Sequence, residues 1–545
     1  MKKFLSIFYI LVLLFFAKSE AHAASEFTTD FDSVYTISAA GEANVTHTIT
    51  LKNNLANIYA TDYTLATSGD HLSHITASDE AGALSVSSSQ QGGTTTLHLL
   101  ITHPAIGQDK VKTITINYQT TDVVEMIGST TTINIPRLSR ANEAESYTRT
   151  VKVEDLGSKP AIVYPPPNAI TPVDSYTVYT FNGHPNDSLT LLFGTSVTYK
   201  LNLTYDLKNK ELGTVDSELA LPPDTDYQHV LLYKINPPPL NIRLDADGNW
   251  LARYSLRPQD HLEVTTELYV TVYAQPVLPD PSTTALEKSP HSQYWDTSAS
   301  IVTDLAGQLK SPDNIYTYLV DNFTYNYGGI TGQTKRLEAA HALASPTLVL
   351  CTEFTDTFVT LARVDNVPAR EINGYGFTTD TTLHPQSSEI DVLHAWPEYY
   401  NDASKKWISV DPTWGNTTGG VDYFNKLDFS HITFVRHGVE DSYPLPAGAY
   451  KDSPSQKFVN VEIATTVPPE KASYTLSGNT IVNNGNVALI NQTVTLAGHH
   501  LTIAYLPPYG STSLNSQANV PLYDKIKTLC ENLFSKFLRL LRVSM

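Results

Sequence analysis

Cysteine is scarce in this sequence: Cys351 and Cys530 are the only two in 545 residues. Exported proteins usually carry cysteines in pairs that form disulfides, but these two lie in unrelated segments, so we expect Cys351 to be a free thiol. Stability must then come from hydrophobic cores. Hydrophobic residues make up 41% of the chain, which suffices for such cores, and the length corresponds to roughly three to five domains.

Basic residues are also few. Lys and Arg together number 36 against 55 Asp and Glu, which gives a formal net charge of −19 at pH 7. No cluster of Lys and Arg interrupts this acidic character before the C-terminal segment. Because nucleic-acid binding depends on such clusters, the sequence argues against a nucleic-acid partner.

The N-terminus has the features of a secretion signal. Lys2 and Lys3 precede an apolar run over residues 4–17, and Ala21-His22-Ala23 supplies the small residues of a cleavage site. We therefore expect residues 1–23 to be a signal peptide. The protein would be exported, to an extracellular or cell-surface location.

The C-terminus has the pattern of a basic amphipathic helix, which we predict over residues 522–545. Its apolar residues recur at steps of three and four, and they are Ile526, Leu529, Cys530, Leu533, Phe534, Phe537, Leu538 and Leu541. Its basic residues are Lys525, Lys527, Lys536, Arg539 and Arg542. These charges argue against a membrane span. The composition fits a helix lying on an anionic membrane surface or a docking helix for another protein.

Most of the remaining chain reads as β-structure. Short runs that alternate apolar and polar residues, as half-buried strands do, occupy residues 34–37, 45–51, 95–101, 112–118, 147–153, 197–203 and 263–270. We predict two β-sandwich-like modules over residues 24–137 and 138–276, a linker over 277–292, and a small β module over 456–515. The fold class is therefore multidomain and mostly β.

Two short patterns suggest metal sites but lack further ligands. Residues 245–249 resemble the start of a calcium loop, yet the glycine comes too early and no glutamate follows at the required distance. A hairpin turn is the better interpretation. His499 and His500 are adjacent, but no other ligands stand at zinc-site spacing. We therefore predict no metal or cofactor.

Cys351 begins a predicted helix. One face of this helix is apolar and consists of Phe354, Phe358, Leu361 and Ala362. The segment 365–368 ends it, because it contains Asn366 and Pro368. At a helix N-terminus, unpaired N–H groups and the macrodipole favour a thiolate and can help to hold an oxyanion. Cys351 is therefore a candidate nucleophile.

His394 and Asp411 are predicted to meet this cysteine. Residues 394–400 and 407–412 read as two strands joined by a turn at residues 401–404. His394 opens the first strand and Asp411 lies at the end of the second. Because these ends are neighbours in an antiparallel pair, the carboxylate can hold the imidazole and fix its tautomer. A thiol, an imidazole and a carboxylate together suit nucleophilic attack on an amide.

The arrangement resembles the transglutaminase-like superfamily of papain-like cysteine enzymes. The residues that carry the resemblance are Cys351 before its helix, Val367-Pro368-Ala369-Arg370 with Gly374-Tyr375, His394-Ala395-Trp396, and Trp407 with Asp411-Pro412-Thr413. They lie within residues 293–450, under a third of the chain. Two residues depart from the family pattern: Val349 stands where the family often has glycine, and Pro397 suggests an edge strand or a bulge.

The resemblance implies an α+β papain-like core over residues 293–450, in which Cys351 is the nucleophile, His394 the general base and acid, and Asp411 the residue that orients His394. Asp391 is the rival carboxylate. The substrate would be a protein or peptide. We favour a peptidase or amidase, while a crosslinking transglutaminase and a non-catalytic surface-binding or adhesion protein remain alternatives.

Overall fold

The computed structural model describes residues 26–514 except for 92, 139–143, 158, 184–187, 283–291, 331–334, 379–380, 386–392, 452–455 and 497–498. The predicted signal peptide, the predicted C-terminal helix, Asp391 and Cys530 lie outside the described residues. Within the described residues, no helix is long and apolar enough to cross a membrane.

The N-terminal half consists of strands, as predicted. The first fourteen are β1 (Phe27–Ile37), β2 (Ala43–Asn53), β3 (Asp62–Ser68), β4 (Ser73–Asp79), β5 (Gly82–Gln91), β6 (Thr94–Leu100), β7 (Val111–Thr120), β8 (Val124–Ile127), β9 (Thr130–Ile135), β10 (Ser146–Glu154), β11 (Pro160–Tyr164), β12 (Ala169–Val173), β13 (Tyr176–Asn182) and β14 (Leu189–Phe193). The next six are β15 (Ser196–Lys208), β16 (Val215–Leu221), β17 (Gln228–Asn236), β18 (Asn241–Leu244), β19 (Trp250–Leu256) and β20 (His261–Tyr273).

Among the described residues, the α-helices lie between residues 300 and 417. They are α1 (Ser300–Leu309), α2 (Pro312–Asn322), α3 (Ala339–Ala344), α4 (Cys351–Val364) and α5 (Pro412–Thr417), and the strands among and after them are β21 (Ala369–Gly376), β22 (His394–Asn401), β23 (Lys406–Ser409) and β24 (His431–His437). The C-terminal strands are β25 (Val459–Ile463), β26 (Tyr474–Ser477), β27 (Thr480–Asn483), β28 (Leu489–Leu496), β29 (His499–Leu506) and β30 (Ser511–Ser513). The chain is thus mostly β, with one α+β region, as the sequence predicted.

The first module is larger than predicted. Its main sheet has ten strands in the order β12-β13-β10-β1-β2-β7-β4-β5-β6-β3, and a second sheet has the order β11-β14-β9-β8. Strand β10 pairs in parallel with β1, from Asp30 opposite Ser146 to Ile37 opposite Val153. The boundary predicted between residues 137 and 138 therefore falls inside a continuous sheet, and the break between modules comes after β14. Alternation of residues identifies strands but not their distant partners.

The middle module also takes a strand from the C-terminal region. Its two sheets have the orders β17-β20-β15-β25 and β16-β19-β18. Strand β25 pairs with β15, with Leu203 opposite Val459, so residues predicted to begin the small C-terminal module complete the middle one. Strands β18 and β19 form a hairpin, which confirms the turn predicted at residues 245–249.

The α+β region is built around a four-stranded sheet of order β23-β22-β21-β24. Helix α4 packs against β21 and β22, and its apolar face, including Phe354 and Phe358, is fully buried. Strand β22 is an inner strand of this sheet, but Pro397 itself is paired only with Glu371 of β21, so the predicted edge is local to this position. Pairing with β23 begins at Glu398 opposite Ser409, so the N–H that proline lacks falls beyond the end of that strand.

Two side-chain amides of the middle module cover the outer edge of β24. Gln228 accepts a hydrogen bond from Thr433 N at 2.9 Å and donates one to Thr433 O at 2.9 Å. Asn249 makes the same two contacts with the backbone of Arg436. It accepts a hydrogen bond from Arg436 N and donates one to Arg436 O, each at 2.8 Å. These amides occupy the positions that a further strand would fill.

The described part of the predicted linker packs against the sheet formed by β21 to β24. Asp280 is hydrogen-bonded to Arg370 at 2.7 Å and to Arg436 at 2.9 Å, and both arginines are fully buried. Two ionic contacts to buried guanidinium groups fix this segment in place. Composition predicted the absence of regular structure correctly, but it does not reveal such anchoring.

Candidate active site

Cys351 is the first residue of helix α4, as predicted, and its side chain is buried. The helix start is closed by Glu353, whose carboxylate accepts hydrogen bonds from Leu350 N at 2.8 Å and Leu337 N at 2.9 Å. Thr355 donates its hydroxyl to the carbonyl of Cys351 at 2.8 Å. The first turn of α4 is therefore fixed on both sides of the thiol.

His394 begins strand β22, and its ring lies between two indoles. It stacks on Trp414 with ring centroids 4.9 Å apart and an interplanar angle of 17°, and on Trp396 at 5.8 Å and 27°. This close packing depends on Gly376, since a Cβ there would come within 2.6 Å of the Trp414 ring. Stacking on the two indoles therefore fixes the plane of the imidazole independently of its polar contacts.

Asp411 lies at the N-terminus of helix α5 and contacts His394. One carboxylate oxygen, Oδ1, accepts from Thr413 N at 2.9 Å and Trp414 N at 3.1 Å, which is the hydrogen bonding of a helix N-cap. The other, Oδ2, lies 2.8 Å from His394 Nε2. With Nε2 engaged, Nδ1 is the ring nitrogen that remains for Cys351.

The electrostatics of the pair favour its charged form. Burial lowers the pKa of His394, but the charge and hydrogen bond of Asp411, followed by the Cys351 thiol, raise it to about 9. Burial also favours protonated Asp411, yet His394 and then His431 outweigh this effect and hold the pKa of Asp411 well below its usual range. At neutral pH the pair is therefore imidazolium and carboxylate.

His431, the first residue of β24, also reaches Asp411. Its Nε2 lies 3.1 Å from Asp411 Oδ2, and its Nδ1 lies 2.7 Å from Asp428 Oδ1. Sequence reasoning considered His431 only as a metal ligand and missed this role. The signal available was the spacing of Asp428 and His431 at the start of an apolar strand, but nothing in the sequence places β24 beside β21.

Tyr325 is another buried group near Cys351 that sequence reasoning missed. Its backbone forms a parallel bridge with Val349, which carries the phenol towards the start of α4. Its hydroxyl is buried and has no hydrogen-bond partner among the described residues. Burial, followed by the charge of Cys351, raises the pKa of Tyr325 well above its usual value. The phenol is thus protonated, and its O–H group is available to donate a hydrogen bond.

Three potential metal-ligating side chains of this site lie close together. Ligand atoms of His394, Asp411 and His431 lie within 4.8 Å of one another. However, Nε2 of each histidine is directed at the same carboxylate oxygen, at 2.8 and 3.1 Å, and a metal would need those lone pairs. The cluster therefore fits a hydrogen-bonded network better than a metal centre.

Comparison with known proteins agrees with this geometry. Residues 296–412 match the family model described as the transglutaminase-like superfamily, a range that includes Cys351, His394 and Asp411. No curated protein matches the chain.

Several solved structures are similar. A candidate cysteine protease from Cytophaga hutchinsonii shares 15% identity, covering 50% of this chain and 87% of that one with a TM-score of 0.31. The periplasmic domain of TgpA from Pseudomonas aeruginosa shares 14% identity, covering 42% and 98%, with a TM-score of 0.23. The M1 zinc metallopeptidase from Deinococcus radiodurans shares 12% identity, covering 35% and 46%, with a TM-score of 0.23.

Proposed function

We propose that this protein, whose residues 296–412 belong to the transglutaminase-like superfamily, is an exported cysteine-dependent enzyme that transfers the acyl group of protein or peptide amides through a thioester. The observation that carries the proposal is the buried His394–Asp411 pair at 2.8 Å, beside a cysteine at a helix N-terminus. A nucleophilic thiol, an imidazole that accepts and returns its proton, and a carboxylate that orients the imidazole are the groups that this reaction needs.

The first step is attack of the Cys351 sulfur on the amide carbonyl, with His394 holding the proton that the thiol has lost. The negative charge that develops on the carbonyl oxygen needs hydrogen-bond donors. The N–H groups of the first turn of α4 and the Tyr325 hydroxyl, which is buried without a partner among the described residues, are suitable donors.

In the second step the C–N bond breaks, His394 protonates the leaving amine, and the acyl group remains on Cys351 as a thioester. Water then attacks the thioester with His394 as general base, which releases the acid and restores the thiol. We propose hydrolysis, and hence a peptidase or amidase. Attack by a lysine amine instead of water would make the same site a crosslinking transglutaminase.

The test is to incubate the mature chain, residues 24–545, with a peptide library with and without a primary amine, and to identify products by mass spectrometry. Cleaved or deamidated peptides without amine support hydrolysis. Amine adducts in their place would contradict hydrolysis and favour the transglutaminase. Cys351→Ser is the matched control. If it and the unaltered protein give the same products, the site is non-catalytic and a binding or adhesion role takes its place.

The two chain ends support a proposal about location. The signal-like residues 1–23 fit export, and the basic amphipathic residues 522–545 fit attachment to an anionic membrane surface. The enzyme would then work outside the cytoplasm and close to a membrane.

A further inference from the structure

His431 makes two contacts that together define its charge. Its Nε2 lies 3.1 Å from Asp411 Oδ2 and its Nδ1 lies 2.7 Å from Asp428 Oδ1. A neutral imidazole has one N–H, whereas an ionised carboxylate can only accept. Both contacts can be hydrogen bonds only when both ring nitrogens carry protons, so the geometry requires an imidazolium.

The two carboxylates are held in the ionised form that this argument needs. Asp411 accepts two backbone N–H groups at the start of α5, and Asp428 accepts from Ser430 N at 2.7 Å. Burial opposes ionisation of Asp428, but the charge of His431 outweighs it and lowers the pKa of this carboxyl. Burial likewise lowers the pKa of His431, and Asp428 followed by Asp411 raises it to about 9.

The described aromatic rings that pack around His431 carry no negative charge. Its ring neighbours are Trp396 and His394 of β22, Trp414 of α5 and Tyr423 of the following loop. Tyr423 is buried with a pKa well above its usual value, so it is neutral. His384 contacts Tyr423, whose hydroxyl lies 3.2 Å from His384 Nε2. Asp411 and Asp428 thus account for the negative charge at His431.

We propose that His431 is a positioning residue of the active site. As a permanently protonated imidazolium it anchors Asp411, and its positive charge offsets part of the negative charge of Asp411 that would otherwise act on His394. The proposal rests on the roles proposed above for Cys351, His394 and Asp411. The His394 and His431 rings are 5.7 Å apart, so the positive charge of His431 also acts directly on His394 and on the thiol beside it.

Removing this positive charge should raise the pKa of every ionisable group near it. His431→Gln keeps a hydrogen-bond donor for Asp411 but removes the charge. The midpoint of the pH dependence of Cys351 alkylation, read by peptide mapping, should then move upward by about one pH unit. Turnover should fall by about 10- to 100-fold because Asp411 loses its anchor, and the alkaline limb of the activity profile should also move upward.

The matched control is His437→Gln. His437 is the last residue of the same strand, is equally buried, and contacts Glu371 at 3.3 Å and Pro444 O at 2.8 Å. It does not contact Asp411. This variant should lose some stability without any shift of the alkylation midpoint. Equal midpoints in the two variants and the unaltered protein would overturn the role of His431.

A second measurement needs no variant and serves if His431→Gln disturbs folding. In protein labelled with 15N-histidine at pH 8, two imidazolium signals should respond when Cys351 is alkylated, one from His394 and one from His431. A single responding imidazolium would overturn the inference and leave the proposed function standing. If Cys351 is not alkylated ahead of Cys530, the proposed function fails and the inference fails with it.

Discussion

Asp411 combines a structural and a chemical contact in one side chain. Its Oδ1 caps α5 and its Oδ2 holds His394. Removal of the whole carboxylate would therefore disturb the helix as well as the imidazole. Asp411→Asn keeps the carbonyl oxygen that caps the helix and loses the charge, so it separates the two effects.

We expect Asp411→Asn to lower turnover by about 10⁴-fold, because His394 loses the charge that stabilises its imidazolium and fixes its tautomer. The melting temperature should change much less. Steady-state kinetics with a peptide substrate and thermal unfolding measure the two effects. Asp391→Asn is the comparison, and we predict a mild effect. A larger loss for Asp391→Asn would show that the rival carboxylate orients His394.

Tyr325→Phe tests the proposed oxyanion donor. Because the hydroxyl is buried without a partner among the described residues, its removal should not destabilise the fold. It should lower kcat by about 100-fold with little change in KM. Tyr327→Phe is the control, since that exposed hydroxyl donates to Thr382 O at 2.8 Å. Equal kcat values for the two variants would exclude Tyr325 from the reaction.

The two histidines beside Asp411 also predict how stability depends on pH. Their pKa values are raised from 6.5 to about 9, so the folded state binds more protons than the unfolded state between these values. Their contribution is complete below pH 6.5 and is lost as the pH rises through 9, by about 1.4 kcal/mol per pH unit for each group. Urea unfolding from pH 6.5 to 9 should show this decline, and His431→Gln should flatten it.

At the residue scale, local sequence patterns were sufficient for some positions and insufficient for others. Cys351, His394 and Asp411 could be singled out because each lies at the end of a recognisable helix or strand. Tyr325 and His431 could not, since each reaches the site from a segment whose neighbours in space are far away in sequence. The catalytic roles of Cys351, His394 and Asp411 remain predictions, although the hydrogen bond between His394 and Asp411 is observed.

At the scale of elements, the close approach of α5 to β21 positions the histidine. A Cβ on Gly376 would lie 2.6 Å from Trp414 Cζ2 and 3.6 Å from His394 Cβ. The indole would have to move, and the imidazole stacked on it would move too. The glycine thus controls the orientation of the His394 ring through Trp414.

We expect Gly376→Ala to lower both turnover and the melting temperature, because a buried Trp414 has no space to shift without strain. Gly307→Ala is a matched control. Gly307 lies in α1, where an added Cβ meets nothing within 4 Å, so this change should stabilise the protein by about 0.5 to 1 kcal/mol. Unchanged activity in Gly376→Ala would contradict the positioning argument.

Strand existence was easier to predict than strand order. Seven alternating runs in the sequence correspond to strands, because burial on one face leaves a period of two. The parallel pairing of β10 with β1 and the transfer of β25 to the middle module could not be foreseen. Both pairings join segments more than a hundred residues apart, and no local pattern specifies such partners.

At the scale of the whole molecule, the predicted C-terminal helix can be tested directly. Deletion of residues 525–545 should release the mature protein from anionic liposomes, because it removes both the apolar stripe and five basic residues, each of which contributes about 1 kcal/mol near such a surface. Co-sedimentation at low and high salt measures this, and activity on a small soluble substrate should be unchanged. Failure of the intact protein to bind at low salt would favour a docking helix for another protein.

The covering of β24 by Gln228 and Asn249 has a consequence for proteolysis and for protein engineering. If residues 293–450 were cut out, the outer edge of β24 would present unpaired N–H and C=O groups to solvent. Such an edge is a template for strand addition between molecules. The excised fragment should therefore self-associate through this strand, and a protease that removes the middle module should cause the remaining fragment to aggregate.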